Sequence, residues 1–454
     1  MHTSIALSAS LLVVFVFASC GNSVDRQIEL LAAGGEELER AKQELLIAKG
    51  DAVPALFEAM EDPRHVASRA ELAEVLVGLM LRVDNPRIAA ALKSHLTADP
   101  LPLVRTRIAR EVGLHKLPEF SDALIVALRD TAGAVRTEAL RALAHMQHTL
   151  GPADKETLIE AARTLSDDSH REAAIEAAII VAKRVDGWLS EAHKEALKGQ
   201  LGKADSLYRA ALTFSPTSDK AHLRLGRFYF DNGEHERGLQ VLSDGGWLAR
   251  IPRFSEPPQI DGHLDEPVWG EAVALGPFVT WGSAHGASIP SKVNTKVSVG
   301  YTEDQIFFGF HCEDAFPDSI IVLSDAHDDD EGWSQDFIEF FLDADVNFDS
   351  DTVYRLTINT AGAITDASSV LPDDLEWHYD WDAESQAAGY VGEGFWSLEC
   401  RVTLGQPYIP KPEPGALWGV NIHRGYRLNV EISQWRHTYW PGPPQDSFGW
   451  FLFM

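Results

Sequence analysis

Apolar residues recur at helical spacing in the first half of the chain and alternate with polar residues in the second half. Between residues 25 and 245, Ala, Leu, Glu and Arg dominate, and the spacing predicts amphipathic helices. After residue 250, short alternating segments between polar turns predict strands. They are TKVSVGY, QIFFGFHC, DFIEFFL, TVYRLTIN, GFWSLECRVTL, LWGVNIHRGYR, ISQWRHTYW and SFGWFLF. This number of short strands predicts an all-β sandwich of jelly-roll type.

A motif recurs within the helical half. It has an Asp, often with Pro, and then an Arg among small residues: DPRHVASRA, DPLPLVRTRIA, DTAGAVRTEAL and DDSHREAA, starting at Asp62, Asp99, Asp130 and Asp167. Asp and Pro suit a turn and a helix start, and small residues let helix pairs stack closely. The spacing, between 31 and 38 residues, resembles that of HEAT repeats.

Two later segments resemble tetratricopeptide repeats. They are KADSLYRAALTFSP, from Lys203, and HLRLGRFYFDNGEHERGLQVL, from His222, where Gly238 stands in place of the usual Ala. The prediction is therefore a multidomain chain in which an all-α helical-repeat solenoid precedes the sandwich. Solenoids of this kind bind proteins along a concave face. A protein partner for the repeats is one expectation, and a stalk that only carries the sandwich is the other.

Charge divides the chain at the same place. The formal net charge is −29, and residues 251–454 hold 33 of the 68 acidic residues but only 9 of the 39 Lys and Arg residues. Such an acidic domain disfavours nucleic acid and suits neutral ligands or cations. No nucleophile motif, phosphate loop or thiolate zinc motif stands out. An enzyme of polysaccharide breakdown stays an alternative, although so acidic a domain offers many carboxylate pairs by chance and their number decides nothing.

The N-terminus reads MHTSIALSASLLVVFVFASCGNS. Its apolar run is too short to span a bilayer comfortably and ends in small residues before Cys20. FASC resembles a bacterial lipoprotein signal, which implies lipidation of Cys20 and a lipid-anchored protein of the cell envelope. Gly21 points to the outer membrane, and an ordinary secretory signal is the alternative. The other cysteines, Cys312 and Cys400, lie on apolar faces of predicted strands, either as a disulfide or as buried thiols.

The second half resembles the family 9 carbohydrate-binding module. The matching blocks, in order, are PPQIDGHLDEPVWGEA, GYTEDQIFFGFHCED, WSQDFIEFFLD, YRLTINTAGAITDA, WGVNIHR and FGWFLF. The resemblance implies a sandwich that binds carbohydrate without catalysis. The predicted domains are a signal peptide at 1–20, HEAT-like repeats at 21–186, tetratricopeptide-like repeats at 187–248 and the sandwich at 249–454. A protein-interaction scaffold with a structural sandwich is the alternative.

One stretch, GWSQDFIEFFLDAD, raises the question of what Glu339 does between two phenylalanines. Alternation predicts a strand with one buried face, so that Ile338, Phe340 and Leu342 point to the core and Glu339 points away. The resemblance implies that Trp333 is one jaw of an aromatic clamp around a sugar and that Glu339 accepts hydrogen bonds from its hydroxyl groups.

The rest of the implied sugar site comes from later strands. Arg355 matches the family's arginine, with Thr357 as the alternative position. Trp440, in preference to Trp435, matches the second jaw, and His437 stands where the family has asparagine. A purely structural pairing of Glu339 with Arg355 stays open.

Calcium is the cofactor that the resemblance implies. Asp314 and Asp336 match acidic residues that flank the binding loop. The run DAHDDDEGW, from Asp325, adds further carboxylates, and oxygen ligands of this kind suit a hard cation.

Overall fold

The computed structural model describes residues 23–146, 150–165, 169–280, 290–328, 334–344, 352–370, 377–406, 409–427, 431–436 and 447–454. The chain forms two compact units, Met1–Val181 and Ala182–Met454. No helix within the described ranges is both long enough and apolar enough to cross a membrane.

The first unit is a two-layered stack of helices. Helices α4, α6 and α8 pack in one layer, and α5 and α7 pack beside them in the other. The helices are α1 (23–30), α2 (Gly35–Ala48), α3 (Val53–Glu61), α4 (Arg69–Met80), α5 (Pro86–Ala98), α6 (Pro102–Leu114), α7 (Ser121–Ala127), α8 (Gly133–His145), α9 (Pro152–Leu165) and α10 (Arg171–Leu197). The last of these starts in the first unit and ends in the second.

The recurring Asp and Arg of the motif hold successive repeats together. Asp130 Oδ1 accepts the backbone N–H of Ala132 at 2.8 Å, which fixes the turn before α8. Arg105 of the preceding repeat donates from Nε and Nη2 to the two oxygens of Asp130, at 2.6 and 2.7 Å. Asp99 likewise accepts the N–H of Leu101 at 2.9 Å and lies 3.7 Å from Arg69. At Asp99 and Asp130 the motif therefore caps one turn and links it to the repeat before. Asp62 instead bonds to Arg64 of its own turn, and Asp167 lies outside the described residues.

Three further helices follow α10 in the second unit: α11 (Leu201–Phe214), α12 (Asp219–Asp231) and α13 (His235–Asp244). Helices α12 and α13 approach each other at two glycines. A Cβ atom on Gly238 would lie 2.7 Å from the carbonyl oxygen of Gly226, closer than two such atoms can come. This explains why glycine replaces the alanine that is usual at position 238 of the repeat pattern.

The remainder of the second unit is a sandwich of two sheets, which confirms the predicted fold class. The strands are β1 (Leu248–Ile251), β2 (Val273–Leu275), β3 (Val279–Thr280), β4 (Thr295–Tyr301), β5 (Gln305–Glu313), β6 (Phe337–Asp343), β7 (Thr352–Asn359), β8 (Ile364–Val370), β9 (Ser385–Gly392), β10 (Phe395–Thr403), β11 (Leu417–Tyr426), β12 (Glu431–Gln434) and β13 (Gly449–Phe453). One sheet has the order β1-β13-β11-β6-β7-β8, with β12 and β3 extending from β11, and the other has the order β2-β4-β5-β10-β9. The β1–β13 pair is parallel.

The core lies between the two sheets and is rich in aromatic rings. Phe308 of β5 stacks on Phe340 of β6 with ring centroids 4.6 Å apart. Ile338 and Leu342 lie in the same cluster, so the inward-facing residues of β6 are as predicted. Both Cys312 and Cys400 are buried free thiols in this core, which resolves their two alternatives in favour of no disulfide.

Strand β6 is buried on both faces, so the predicted single buried face was wrong. Every residue of β6 is buried, including the outward-facing Phe337, Glu339 and Phe341. The physical reason is a second layer of aromatic side chains: Phe341 contacts Trp377 and Phe448 at centroid distances of 6.0 and 6.1 Å. Glu339 consequently lies within a covered surface.

Candidate functional site

The register of three strands places polar side chains in a row on the outer face of the larger sheet. Glu339 of β6 is directly opposite Thr357 of β7 and His423 of β11. Residues that are directly opposite in a sheet project to the same face, with Cβ atoms about 5 Å apart. The row Thr357–Glu339–His423 therefore follows from strand pairing between segments that are distant in the sequence.

The carboxylate of Glu339 has a hydrogen-bond partner on each side. Thr357 Oγ1 donates to Glu339 Oε1 at 3.2 Å. His423 Nδ1 lies 3.2 Å from Oε2, and since an ionised carboxylate only accepts, this ring nitrogen carries the proton. Glu339 is 1% exposed, and such a buried charge is tolerated only when it is hydrogen-bonded.

Arg355 connects this row to two aromatic rings. Its Nε lies 3.8 Å from Glu339 Oε1, an ion pair without a direct hydrogen bond. The guanidinium lies over the Trp377 ring, 4.3 Å from its centroid, and Nη2 donates to the Tyr379 hydroxyl at 3.0 Å. Tyr379 is 53% exposed. The site thus has a charged interior and an accessible aromatic edge.

A second chain of bonds leads from His423 towards the C-terminal loop. Asn421 Nδ2 donates to His423 Nε2 at 3.4 Å and to the carbonyl oxygen of Arg436 at 3.1 Å. Asn421 Oδ1 accepts the backbone N–H of Arg436 at 3.0 Å. These bonds fix the backbone where β11 faces Arg436, the residue that precedes the segment with His437 and Trp440.

The structure brings together some predicted site residues and does not describe others. Glu339 and Arg355 lie together on the outer face, with Arg355 Nε 3.8 Å from Glu339 Oε1. Cys20, Trp333, His437 and Trp440 lie outside the described residues. Trp435 is 2% exposed and packs on Phe451 in the core, with centroids 5.7 Å apart, so it cannot serve as a jaw.

Sequence reasoning missed three members of the site. His423 stands in the quoted block WGVNIHR, but its contact with Glu339 depends on the pairing of β6 with β11. Trp377 and Tyr379 belong to the loop between β8 and β9 and carried no strand pattern. The one sequence feature that marks them is the spacing W-x-Y after an acidic run, and this feature is too common in exposed loops to identify a site.

The two predicted calcium ligands, Asp314 and Asp336, hold loops to the sheet. Asp336 accepts the backbone N–H groups of Ile321 and Arg427, one on each oxygen, at 2.9 and 3.0 Å. Asp314 Oδ1 accepts the N–H of Phe316 at 2.8 Å and the hydroxyl of Tyr426 at 3.1 Å. Burial raises the pKa of Asp336 above its ordinary value, and the two N–H bonds offset part of that rise.

Calcium at Asp314 and Asp336 stays a prediction. Within the described ranges, these two carboxylates do not belong to a close group of three His, Cys, Asp or Glu ligands. Protein N–H and O–H groups satisfy them instead.

Part of the helical half matches the model of a known family. A model of HEAT repeats matches residues 89–179, which confirms the predicted HEAT repeats over that range. No curated protein matches the chain significantly.

Several solved structures are similar to this chain. A candidate carbohydrate-binding protein from Bacteroides uniformis has 14% identity, covering 46% of this chain and 99% of its own, with a TM-score of 0.36. A family 9 carbohydrate-binding module from Caldicellulosiruptor kristjanssonii, in complex with glucose, has 16% identity, covering 46% of this chain and 95% of its own, with a TM-score of 0.32. A phycocyanin lyase complex from Nostoc has 18% identity over 35% of this chain and 98% of its own, with a TM-score of 0.29.

Proposed function

We propose that the second unit binds carbohydrate on the outer face of its larger sheet and does not catalyse a reaction there. The observation that carries this proposal is the row Thr357–Glu339–His423 with Arg355 and its two aromatic rings beside it. Sugar hydroxyl groups donate to carboxylates and accept from guanidinium groups. Their C–H faces pack on aromatic rings, whose apolar surface is large. This combination suits a neutral polyhydroxylated ligand.

The carboxylates of this face favour binding over glycoside hydrolysis. On the described parts of β6, β7, β8 and β11, Glu339 and Asp343 are the outward-facing carboxylates. They are four residues apart on one strand, so their Cα atoms are about 13 Å apart and both side chains project from the same side of the sheet. A hydrolase needs two carboxyl groups roughly 5 to 10 Å apart on either side of the bond.

The test is carbohydrate binding by the full chain, screened on a glycan array and measured by calorimetry with glucose and cellotriose among the probes. Glu339→Gln keeps the shape but replaces a charged acceptor with an amide. Charged hydrogen bonds contribute about 1.5 to 3 kcal/mol and neutral ones about 0.5 to 1.5, so we expect a loss of about 1 kcal/mol in binding. Trp333→Ala and Trp440→Ala should each cost roughly 1 to 3 kcal/mol through lost apolar contact.

The matched control is Glu393→Gln, an exposed glutamate of the same unit. It should leave both affinity and melting temperature unchanged. If Glu339→Gln lowers the melting temperature while sugar affinity stays at the native value, Glu339 is only a structural partner of Thr357 and His423. The absence of any bound glycan on the array would refute the proposal as a whole.

We also propose that the chain is exported and anchored to the outer membrane through lipidated Cys20. The sequence FASC supports this proposal. Cys20→Ser should move the protein from the membrane fraction to the soluble exported fraction, and unchanged membrane association would contradict the proposal. The calcium ion and a protein partner of the helical repeats stay predictions.

A further inference from the structure

A cluster of charged side chains lies at the edge of the larger sheet. His327 and Asp328 precede β6, and Asp382 precedes β9. Each offers one ligand atom, and these atoms all lie within 4.8 Å of one another. His327 Nδ1 is 2.9 Å from Asp328 Oδ2. All three residues are exposed, and an exposed acidic cluster alone is common on protein surfaces.

A fourth carboxylate, Asp366 of β8, is buried beside this cluster. Its Oδ2 accepts the backbone N–H of Ala383, the residue after Asp382, at 2.8 Å. The carbonyl oxygen of Ile364, two residues before Asp366, accepts the N–H of Asp328 at 3.0 Å. The same strand therefore bonds to both segments that carry the cluster. Asp366 pairs with Leu356 of the core, so it lies on the opposite face of the sheet from Glu339.

One carboxylate oxygen of Asp366 has no hydrogen-bond partner among the residues that the structure describes. The side chain is 0% exposed, and its Oδ1 is buried without a hydrogen-bond partner. Burial raises the pKa of Asp366 to about 6, and the charged groups that also act on it are Asp328, His327 and Asp382. In the described part of the chain, no Lys or Arg forms an ion pair with Asp328 or Asp382. A buried acceptor without a donor is costly, and further carboxylates add repulsion.

We propose that His327, Asp328 and Asp382 bind one divalent cation beside the buried carboxylate of Asp366, which lies outside their group of mutually close ligand atoms. A cation there would offset the charge of Asp366 and of the two exposed carboxylates. Two carboxylates with one imidazole suit Zn²⁺ or Mn²⁺ better than Ca²⁺, which takes six to eight oxygen ligands. The ion would join the segments before β6 and β9, which both bond to β8, and so stabilise this edge of the sandwich. This site is separate from Asp314 and Asp336.

The test measures metal binding by the full chain without a polyhistidine tag, after chelator treatment and dialysis. Titration with Zn²⁺, Mn²⁺ and Ca²⁺ separately should show one site, tighter for Zn²⁺ and Mn²⁺, and bound Zn²⁺ should raise the melting temperature by mass action. Asp366→Asn and Asp382→Asn should each weaken Zn²⁺ binding at least about tenfold, since even outer partners of metal ligands contribute that much. His327→Ala should weaken Zn²⁺ binding more than Ca²⁺ binding. The control Asp318→Asn changes an exposed acidic residue outside the cluster and should leave the Zn²⁺ affinity at its native value.

Stability without metal separates a ligand from a structural carboxylate. Asn at position 366 can still accept the N–H of Ala383 but carries no charge, so metal-free Asp366→Asn should melt no lower than the native chain. If that variant fails to fold, the exposed positions 327 and 382 still decide the question. Equal Zn²⁺ affinity in the native chain, Asp382→Asn and His327→Ala would overturn the proposal. The absence of metal binding, or tighter binding of Ca²⁺ than of Zn²⁺ and Mn²⁺, would overturn it too.

Discussion

Glu339 keeps unused hydrogen-bond acceptor positions despite its burial. An ionised carboxylate has about four lone-pair positions, and Thr357 and His423 each use one of them. Arg355 lies 3.8 Å away and directs its contacts to Trp377 and Tyr379. Among the described residues, about two acceptor positions therefore have no donor, and the proposed sugar ligand would use them. The partners hold the carboxylate in one orientation, which would lower the entropic cost of that binding.

The two core cysteines give a prediction about chemical reactivity at the same scale. Burial raises the pKa of the Cys312 thiol to about 11, and burial raises the pKa of Cys400 as well. The thiolate is the reactive form, so at pH 8 both thiols should be protonated as well as inaccessible. In the Cys20→Ser chain, a thiol reagent at pH 8 should detect no thiol in the native state and two after denaturation. Reaction of either cysteine in the folded chain would contradict this burial.

At the scale of the elements, the carboxylate of Asp130 has two roles in the helical repeats. Asp130 accepts the backbone N–H of Ala132 in the turn before α8. It also accepts two hydrogen bonds from the guanidinium of Arg105 in the preceding repeat. The side chains of Arg105 and Asp130 are 10% and 9% exposed. Removing one partner of a buried pair leaves the other charge uncompensated, which costs more than losing an exposed pair.

Arg105→Ala should therefore destabilise the first unit by about 3 kcal/mol. The control is Arg163→Ala, because Arg163 pairs with Glu160 at 3.0 Å while both side chains are 50% exposed, and its loss should cost less than about 1 kcal/mol. Urea unfolding would be followed by circular dichroism of the helices and by tryptophan fluorescence. All twelve tryptophans follow residue 181, so fluorescence reports the second unit. Equal helix midpoints for the two variants would refute the role of the Asp130 link.

Strands whose own residues alternate clearly were predicted from the sequence, and strands that depend on their neighbours in the sheet were not. Strands β4 and β7 have the predicted bounds, because their apolar and β-branched residues alternate cleanly. Strand β8, ITDASSV, was missed, because it places Asp366 on its inner face. Strand β9, SQAAGYVG, is a half-exposed edge with small residues and no apolar alternation. Both strands are specified by the neighbours they pair with, which a single stretch of sequence does not reveal.

The candidate site was likewise predictable only where short stretches of sequence identify its residues. The residues Glu339 and Arg355 lie in blocks whose resemblance to a known family could be read from the sequence. The contact of Glu339 with His423 depends on the register of β6 against β11, segments about eighty residues apart in the chain. The aromatic edge depends on a loop, whose conformation has no periodicity to read.

At the scale of the whole chain, the tetratricopeptide-like helices and the sandwich form one compact unit. Leu223 of α12 and Leu242 of α13 share a buried cluster with Trp247, Leu248 and Trp450. Phe230 meets Trp450 edge to face, with centroids 5.0 Å apart. The cluster continues the apolar interior from the helices into β1 and β13. The predicted boundary between 248 and 249 runs through this cluster.

The helices should therefore stabilise the sandwich, and fragments of the chain can test this. The fragment 245–454 keeps β1 and Trp247 but loses Leu223, Phe230 and Leu242 from around Trp450. Removing large apolar partners from a core costs roughly 2 to 5 kcal/mol, so this fragment should unfold at a lower temperature than the full chain. The fragment 182–454 keeps helices α11, α12 and α13 and should unfold at the same temperature as the second unit of the full chain. Tryptophan fluorescence would monitor both transitions.

The difference in unfolding temperature between the two fragments shows whether the helices stabilise the sandwich or only adjoin it. The lost contacts lie on the side chain of Trp450, whose backbone N–H donates to the carbonyl oxygen of Trp247 at 2.6 Å in the full chain. Both fragments contain these two residues. The shorter fragment should therefore retain β1 and its pairing but expose the Trp450 ring, giving a red-shifted emission before unfolding. Leu242→Ala in the fragment 182–454 should lower the melting temperature in the same direction, and Leu201→Ala, at a residue 44% exposed on α11, should not. If 245–454 and 182–454 unfold at the same temperature, the helices only adjoin the sandwich, and binding studies could use the sandwich alone.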